Sequence, residues 1–231
     1  MSELGDGLLQ AIGLIFSGDS TLVEIILLSL RVTGLALLIS SAVGIPIGAA
    51  LGLSRVRARG FVTALLYTGM GLPPVVVGLF VYLMLSRSGP FGLLGWLFTP
   101  SAMVVAQVII AFPLVTGLTM TAVQGVDPAL RLQSRSLGAT RVQEAWTVIK
   151  EARIGVVAAL VAAFGSIISE VGAVMLVGGD IDGKTRVLTT AIVLNTRTGD
   201  FELALALGII LLFLAFLANL AMLRLQGRMA A

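Results

Sequence analysis

Five long apolar runs, separated by short polar or charged breaks, dominate the chain: roughly Leu22 to Leu53, Phe61 to Leu85, Pro100 to Gln124, Ile154 to Val177 and Phe201 to Leu223. Each is long enough to cross the hydrocarbon layer of a bilayer, which takes about 20 helical residues for roughly 30 Å. The pattern predicts an all-α, polytopic membrane protein with five core helices and its two termini on opposite sides. The first 21 residues carry a shorter apolar run among acidic residues, without the basic start and small-residue cleavage site of a secretory signal. We expect residues 1–21 to form an interfacial helix on the membrane, the alternative being a disordered tail, followed by one membrane domain over residues 22–231.

The interiors of these runs are patterned for packing. Gly44, Gly48 and Gly52 recur every four residues, a spacing that lets helix backbones approach closely, and Gly165, Ser169 and Ala173 form a similar stripe, as do Ala158, Ala162 and Ser166. The second run contains Gly69, Gly71, Pro73 and Pro74 in its middle. Adjacent prolines remove backbone donors and kink or interrupt a helix. Irregular backbone at membrane depth is tolerated only where protein or a water-lined cavity satisfies it. The break is therefore expected beside a polar pathway or as a structural kink, and Pro113 in the third run carries the same expectation more weakly.

Composition agrees with this picture and narrows the chemistry. The chain is 58% hydrophobic and 12% charged, with a mean hydropathy of +1.07 and a net charge of +3. It contains no cysteine and no histidine, which excludes disulfides, thiolate or imidazole metal sites and His-based acid–base catalysis. No catalytic and no metal-binding residue is assigned. The basic residues report orientation rather than nucleic-acid binding. Ten of them, in the breaks after the first and third runs and beyond the fifth, fall on one side, against four on the other, with Arg31 left inside the first run. The positive-inside rule makes the richer side cytoplasmic, with the N-terminus outside and the C-terminus in the cytoplasm.

The longest break on the cytoplasmic side, residues 125–153, has legible local chemistry. Asp127 is a good N-cap and Pro128 sits at the first helical position, so a short helix is predicted to about Leu137. Gly138 supplies a left-handed turn, and Thr140 with Gln143 has the spacing of a capping box for a second helix. On that second helix Val142, Ala145, Trp146 and Ile149 share one face, with Arg141, Glu144 and Glu151 elsewhere.

The stretch SRSLGATRVQEAWTVIKEA resembles the cytoplasmic "EAA" loop of binding-protein-dependent ABC importer permeases, matching at Leu137, Gly138, Ala139, Thr140 and Trp146. Leu132, Gln133 and Ser134 stand where that family has Glu-Ala-Ala, and the closing proline is replaced near Lys150 and Glu151. The segments GLPPVVVGLFVYLMLSRSGPFG, SIISEVGAVMLVGGDIDGKTRVLTTAIVL and TGDFELALALGIILLFLAFLANL are similar to the molybdate, sulfate and tungstate branch, and to tungstate permeases in particular. The resemblance implies a type I (MetI-like) five-helix permease core, working as a homodimer with cytosolic ATPase subunits and an extracytoplasmic oxyanion-binding protein, in contact with membrane lipid and with no nucleic acid. No cofactor is expected on this chain, since ATP and Mg belong to the partner subunit. Leu130, Ser134, Leu137, Gly138, Ala139, Thr140, Arg141 and Trp146 would serve ATPase coupling. The translocation path would pass Pro73, Pro74, Thr116, Thr119, Ser166, Ser169 and Glu170, the threonines and serines facing water. A molybdate or sulfate permease of the same fold is the near alternative. A channel or secondary carrier would lack an ATPase-docking helix, and a membrane-embedded enzyme would need convergent acid, base or metal ligands.

Two features stand apart. Gly178 to Thr185, GGDIDGKT, fits a phosphate-loop pattern, but that mechanism needs a strand–loop–helix unit in a cytosolic α/β domain. We expect a glycine-rich external turn, whose amides with Lys184 or Arg186 could guide an oxyanion. Arg31 and Glu170 are charges inside apolar runs, expected either to pair with each other or to leave Arg31 extended to the interface.

Overall fold

A computed structural model describes residues 20–54 and 59–230, with Gly5, Ile12 and Gly13 besides. The interfacial helix expected over residues 1–21 otherwise lies outside the described residues up to Ser20, where the first described helix begins. Among the described residues the structure is helical, without strands. The helices are α1 Ser20–Leu53, α2 Arg59–Met70, α3 Pro74–Leu85, α4 Pro100–Gln124, α5 Pro128–Ser136, α6 Arg141–Glu151, α7 Arg153–Ile168, α8 Gly172–Gly178, α9 Leu188–Thr198 and α10 Phe201–Ala230.

Helices α1, α4 and α10 coincide with the first, third and fifth apolar runs and are each long and apolar enough to cross a membrane. The second run is two helices, α2 and α3, of 12 residues each, so neither spans alone. Pro73 caps α3 and Pro74 opens it, the one helical position where a missing amide hydrogen costs nothing. Pro113 does not repeat this, for α4 runs through it. The fourth run, expected to be continuous, is also broken: α7 stops at Ile168 and α8 starts at Gly172. Beyond it lies a helix the hydrophobic pattern did not announce, α9, whose Leu188, Thr189, Thr190 and Ala191 are buried.

The chain forms two compact units. The first comprises Met1–Ala36, Pro73–Gln107 and Ile167–Leu220. Its apolar core joins Leu22 of α1, Leu188 and Ala191 of α9, and Leu207 and Ile210 of α10. Here α3 packs on α8 so closely that a Cβ on Gly78 would lie 2.6 Å from the Ala173 Cα, and one on Gly172 would lie 2.6 Å from Val75 Cγ2. The connection from α3 to α4 is pinned to the end of α8: the Phe98 amide donates to the Val177 carbonyl (2.9 Å), and the Phe98 ring occupies the space a side chain on Gly179 would need. Phe98 adopts φ +59° to do so.

The second unit comprises Leu37–Leu72, Val108–Ser166 and Ala221–Ala231. One seam is α1 on α4, where the four-residue glycine stripe meets backbone: a Cβ on Gly48 would run into the Thr116 carbonyl oxygen, and one on Gly52 would lie 2.9 Å from that of Met120. Such contact is what small residues at this spacing are for in a medium without a hydrophobic drive between helices. Ala49, Val123, Val148, Ala152 and Val156 form the core beneath the α5–α6 loop. Leu27, Leu38, Leu212 and Phe216 stay exposed along α1 and α10, as a face turned to lipid requires.

Candidate functional site

The loop from α5 to α6 is a rigid joint built by its own side chains. Asp127 accepts a hydrogen bond from the Ala129 amide (2.8 Å), which caps α5. The helix closes with the Ala139 amide donating to the Ser134 carbonyl and Gly138 at φ +80°, a conformation costly for any residue with a Cβ. Thr140 then accepts from the Gln143 amide (3.3 Å) while its own amide donates to the Gln143 side-chain oxygen (2.8 Å), completing the capping box. Both predicted caps and the turn between them are in place.

What faces inward on α6 differs from the expectation. Val148 is fully buried and Glu144 nearly so, whereas Val142 and Trp146 are exposed at 79% and 59%. Glu144 accepts from Arg135 Nε (2.7 Å) and Nη2 (3.2 Å) and from Arg131 Nε (2.8 Å). Arg131 also donates to the Leu53 carbonyl at the end of α1 (3.1 Å). The hydrogen bonds from Arg135 and Arg131 hold the Glu144 carboxyl below the usual carboxylate range, and the bond to Glu144 raises the Arg135 guanidinium. One carboxylate thus ties α5 to α6, and through Arg131 to α1. The apolar arc of α6 hid this role, because Glu144 lies off it; the cue was two arginines four apart on α5 opposite a lone glutamate early in α6. Of the eight loop residues singled out from sequence, Leu130, Ser134 and Ala139 are half-buried, and Leu137, Gly138, Thr140, Arg141 and Trp146 are exposed.

In the first unit the two helix breaks come together. Val75, at the start of α3, lies against Gly172 at the start of α8, so the first turns of the two helices adjoin. The α7–α8 break has a specific cause. In a continuous helix the Ile167 carbonyl would accept from the Val171 amide; instead it takes Gln107 Nε2 (2.9 Å) and the Glu170 amide (3.3 Å). The Glu170 carbonyl is taken by the Thr189 hydroxyl (3.0 Å), and the Glu170 carboxylate accepts from the Ala173 amide (2.8 Å), capping α8. Glu170 is buried and forms no ion pair with Arg31, which is exposed. Its partners are dipoles from α8 and α9.

Thr116, Thr119 and Ser166 belong to the second unit. Thr116 and Thr119 are fully buried under Gly44 and Gly48 with no hydrogen-bond partner for either hydroxyl, so in this arrangement they are packing residues and do not face water. Ser166 is half-buried and Ser169 exposed.

The GGDIDGKT segment is closed on itself. The Thr185 hydroxyl donates to the Gly178 carbonyl (2.7 Å) and accepts from the Ile181 amide (2.9 Å), and Arg186 pairs with Asp182 (2.9 Å) and lies 3.4 Å from Asp180. A phosphate loop needs that hydroxyl for a magnesium ion and those amides for phosphate. Here the hydroxyl is committed, and the segment follows helix α8 rather than a strand.

Comparisons with known proteins agree on one family. The model for "Binding-protein-dependent transport system inner membrane component" matches residues 44–231. A "Probable anion ABC transporter permease protein" of Haloferax volcanii is 46% identical, over 86% of this chain and 88% of its own length. The "Tungstate uptake system permease protein TupB" of Peptoclostridium acidaminophilum is 39% identical over 98% of this chain and 99% of its own. The "Molybdenum transport system permease protein ModB" of Escherichia coli is 31% identical over 78% and 82%. Among solved structures, an inward-facing MetNI methionine ABC transporter superposes with a TM-score of 0.78 at 19% identity, covering 93% of this chain and 98% of that one. A bacterial ABC transporter that imports the polysaccharide alginate gives 0.71 at 21% identity, covering 91% and 80%. At such identities these two establish the fold alone.

Proposed function

This chain belongs to the family of binding-protein-dependent transport system inner membrane components, and we propose that it is the permease subunit of an ATP-driven oxyanion importer whose substrate is tungstate. The observation that carries this reading is the α5–α6 joint. Two short helices, each capped and locked together by Glu144, form a stiff lever outside the apolar spans, and they leave Leu132, Leu137, Val142 and Trp146 exposed in an otherwise polar loop. Stiffness without a partner would serve nothing. With an ATPase subunit seated on the loop, closure of that subunit is passed through Arg131 to the end of α1. Leu130, Ser134, Leu137, Gly138, Ala139, Thr140, Arg141 and Trp146 form the docking surface in this proposal, and nucleotide and magnesium stay on the partner.

The chain acts as a pair of identical subunits, with the N-terminus outside and the C-terminus in the cytoplasm, as the distribution of Lys and Arg argues. An extracytoplasmic protein delivers the anion. Pro73, Pro74, Ser169 and Glu170, at the paired helix breaks, flank the path. Tungstate is preferred over molybdate because the relatives named for tungstate match over 93% of this chain or more and the molybdenum relatives over 80% or less.

The test is reconstitution in liposomes with the ATPase and the binding protein. Tungstate uptake should require ATP, and the tagged chain should retain the ATPase through purification. Uptake that continues without ATP would overturn the importer reading. A binding protein that selects sulfate over tungstate would overturn the substrate and leave the permease role standing.

A further inference from the structure

Beside the α7–α8 break the first unit encloses a space of about 10 Å³, lined by Ser29, Thr33, Gln107, Glu170 and Thr189 together with apolar side chains. Its polar groups can be accounted for one by one. Ser29 has its one proton committed to the Ile25 carbonyl (2.7 Å) and accepts from the Leu188 amide (2.9 Å). Thr189 donates to the Glu170 carbonyl. Gln107 is 4% exposed, and its Nε2 must face the Ile167 carbonyl, since a carbonyl only accepts; this fixes the amide orientation and leaves Oε1 with no partner. Glu170 uses one oxygen on the Ala173 amide. Thr33 as a residue is 2% exposed, and its hydroxyl has no bond within the described residues. The inventory is one buried acceptor without a partner, Gln107 Oε1, beside the second carboxylate oxygen of Glu170 and the Thr33 hydroxyl, around a largely closed space.

We propose that this space is a site for one water molecule, which donates to Gln107 Oε1 and the Glu170 carboxylate, accepts from the Thr33 hydroxyl, and so pins the broken ends of α7 and α8. Volume and chemistry agree: a buried water needs about 10–15 Å³ and two to four polar partners. A hard cation fits less well, because it needs about six oxygen ligands and the uncommitted oxygens here are fewer.

Radiolytic hydroxyl labelling of the full-length chain in lipid nanodiscs tests the site, because a bound water generates radicals beside it. Ile168, Val187 and Leu188, which line the space, should be labelled several-fold faster than Leu207 and Ile210, which are equally buried in the apolar core of the same unit. Gln107→Leu, which fills the space and removes the acceptor, should abolish the excess. If that variant fails to fold, the nearly isosteric Thr33→Val should reduce the excess instead. Equal labelling of the two sets in the parent chain, or an excess unchanged in a folded variant, would overturn the proposal. So would a density map in which the space holds nothing, or holds an ion ringed by oxygens at metal distance.

Discussion

Glu144 and Glu170 are both buried, and each holds a joint between two helices, but they are answered in opposite ways. Glu144 receives two guanidinium groups, whose side chains are 31% and 58% exposed. Glu170 receives an amide from α8, while its own carbonyl is bound by a hydroxyl of α9. The difference follows from the surroundings. In the polar loop the arginines keep much of their hydration while they bind, so the charge-assisted bonds come at little desolvation cost. Within an apolar span, drawing Arg31 inward would strip both charges of water, and oriented dipoles hold the carboxyl more cheaply. The first joint is therefore stiff and charge-locked, the second a set of exchangeable hydrogen bonds.

The contrast predicts its largest effect at Glu170. Glu170→Ala leaves the Ala173 amide without an acceptor in a buried, apolar setting and opens a void, together costing on the order of 2–3 kcal/mol. Glu170→Gln keeps an oxygen where the cap needs one and should recover most of this. Thermal unfolding of the purified chain reads both; equal losses in the two variants would mean that charge, and not the cap, matters at this position.

Packing of α3 on α8 gives the next effect. Gly78→Ala drives a methyl group into the backbone of Ala173 and should cost about 1–3 kcal/mol. Gly172→Ala meets a Val75 methyl at 2.6 Å but backbone only at ordinary contact distance, and should cost less. The reverse ranking would mean that the α8 break is held by Glu170 without help from α3.

At the charge-locked joint, Glu144→Gln should lower stability by about 1–2 kcal/mol, since charged hydrogen bonds weaken but the partly exposed arginines return to water. Its clearer consequence is functional: ATP hydrolysis in the assembled complex should become less dependent on substrate. Arg131→Ala should exceed Arg135→Ala in both respects, because Arg131 is the less exposed and also holds the Leu53 carbonyl.

How much of this was legible beforehand depended on where the information lies along the chain. The proline break between α2 and α3 was readable because a missing amide hydrogen is a property of the residue itself. The capped loop was readable for a related reason: Asp127, Gly138 and the Thr140–Gln143 box act within a few residues of themselves. The break at Ser169 to Val171 was not, because its causes, Gln107 and Thr189, lie far away in sequence and only the fold delivers them. The charge of Glu170 marks it within an apolar run and points to Arg31 as one possible partner, the other expectation being Arg31 extended to the interface; α8 and α9 supply dipoles instead. Helix α9 escaped because its core contacts, such as Leu188 and Ala191 with Leu22 and Leu207, are shared with distant residues. Its own sequence, LTTAIVLNTRT, is neither long nor apolar enough to stand out from a loop.

The smallest effect expected is in pH, and it belongs to Glu144. Because Arg135 and Arg131 hold the Glu144 carboxyl below its ordinary value, the folded chain keeps this group ionised to lower pH than the unfolded chain does. The stabilisation is then fully present above the unfolded value, about 4.3, and is lost as pH falls from there through the lower folded one. The stability difference between the parent chain and Glu144→Gln should accordingly stay flat from about pH 8 to about pH 5 and shrink only below that. A difference that already falls between neutrality and about pH 6 would require a raised carboxyl at position 144, which the two guanidinium groups oppose. That outcome would mean the arginines leave Glu144 in solution, and the loop would lose its claim to be the stiffer of the two joints.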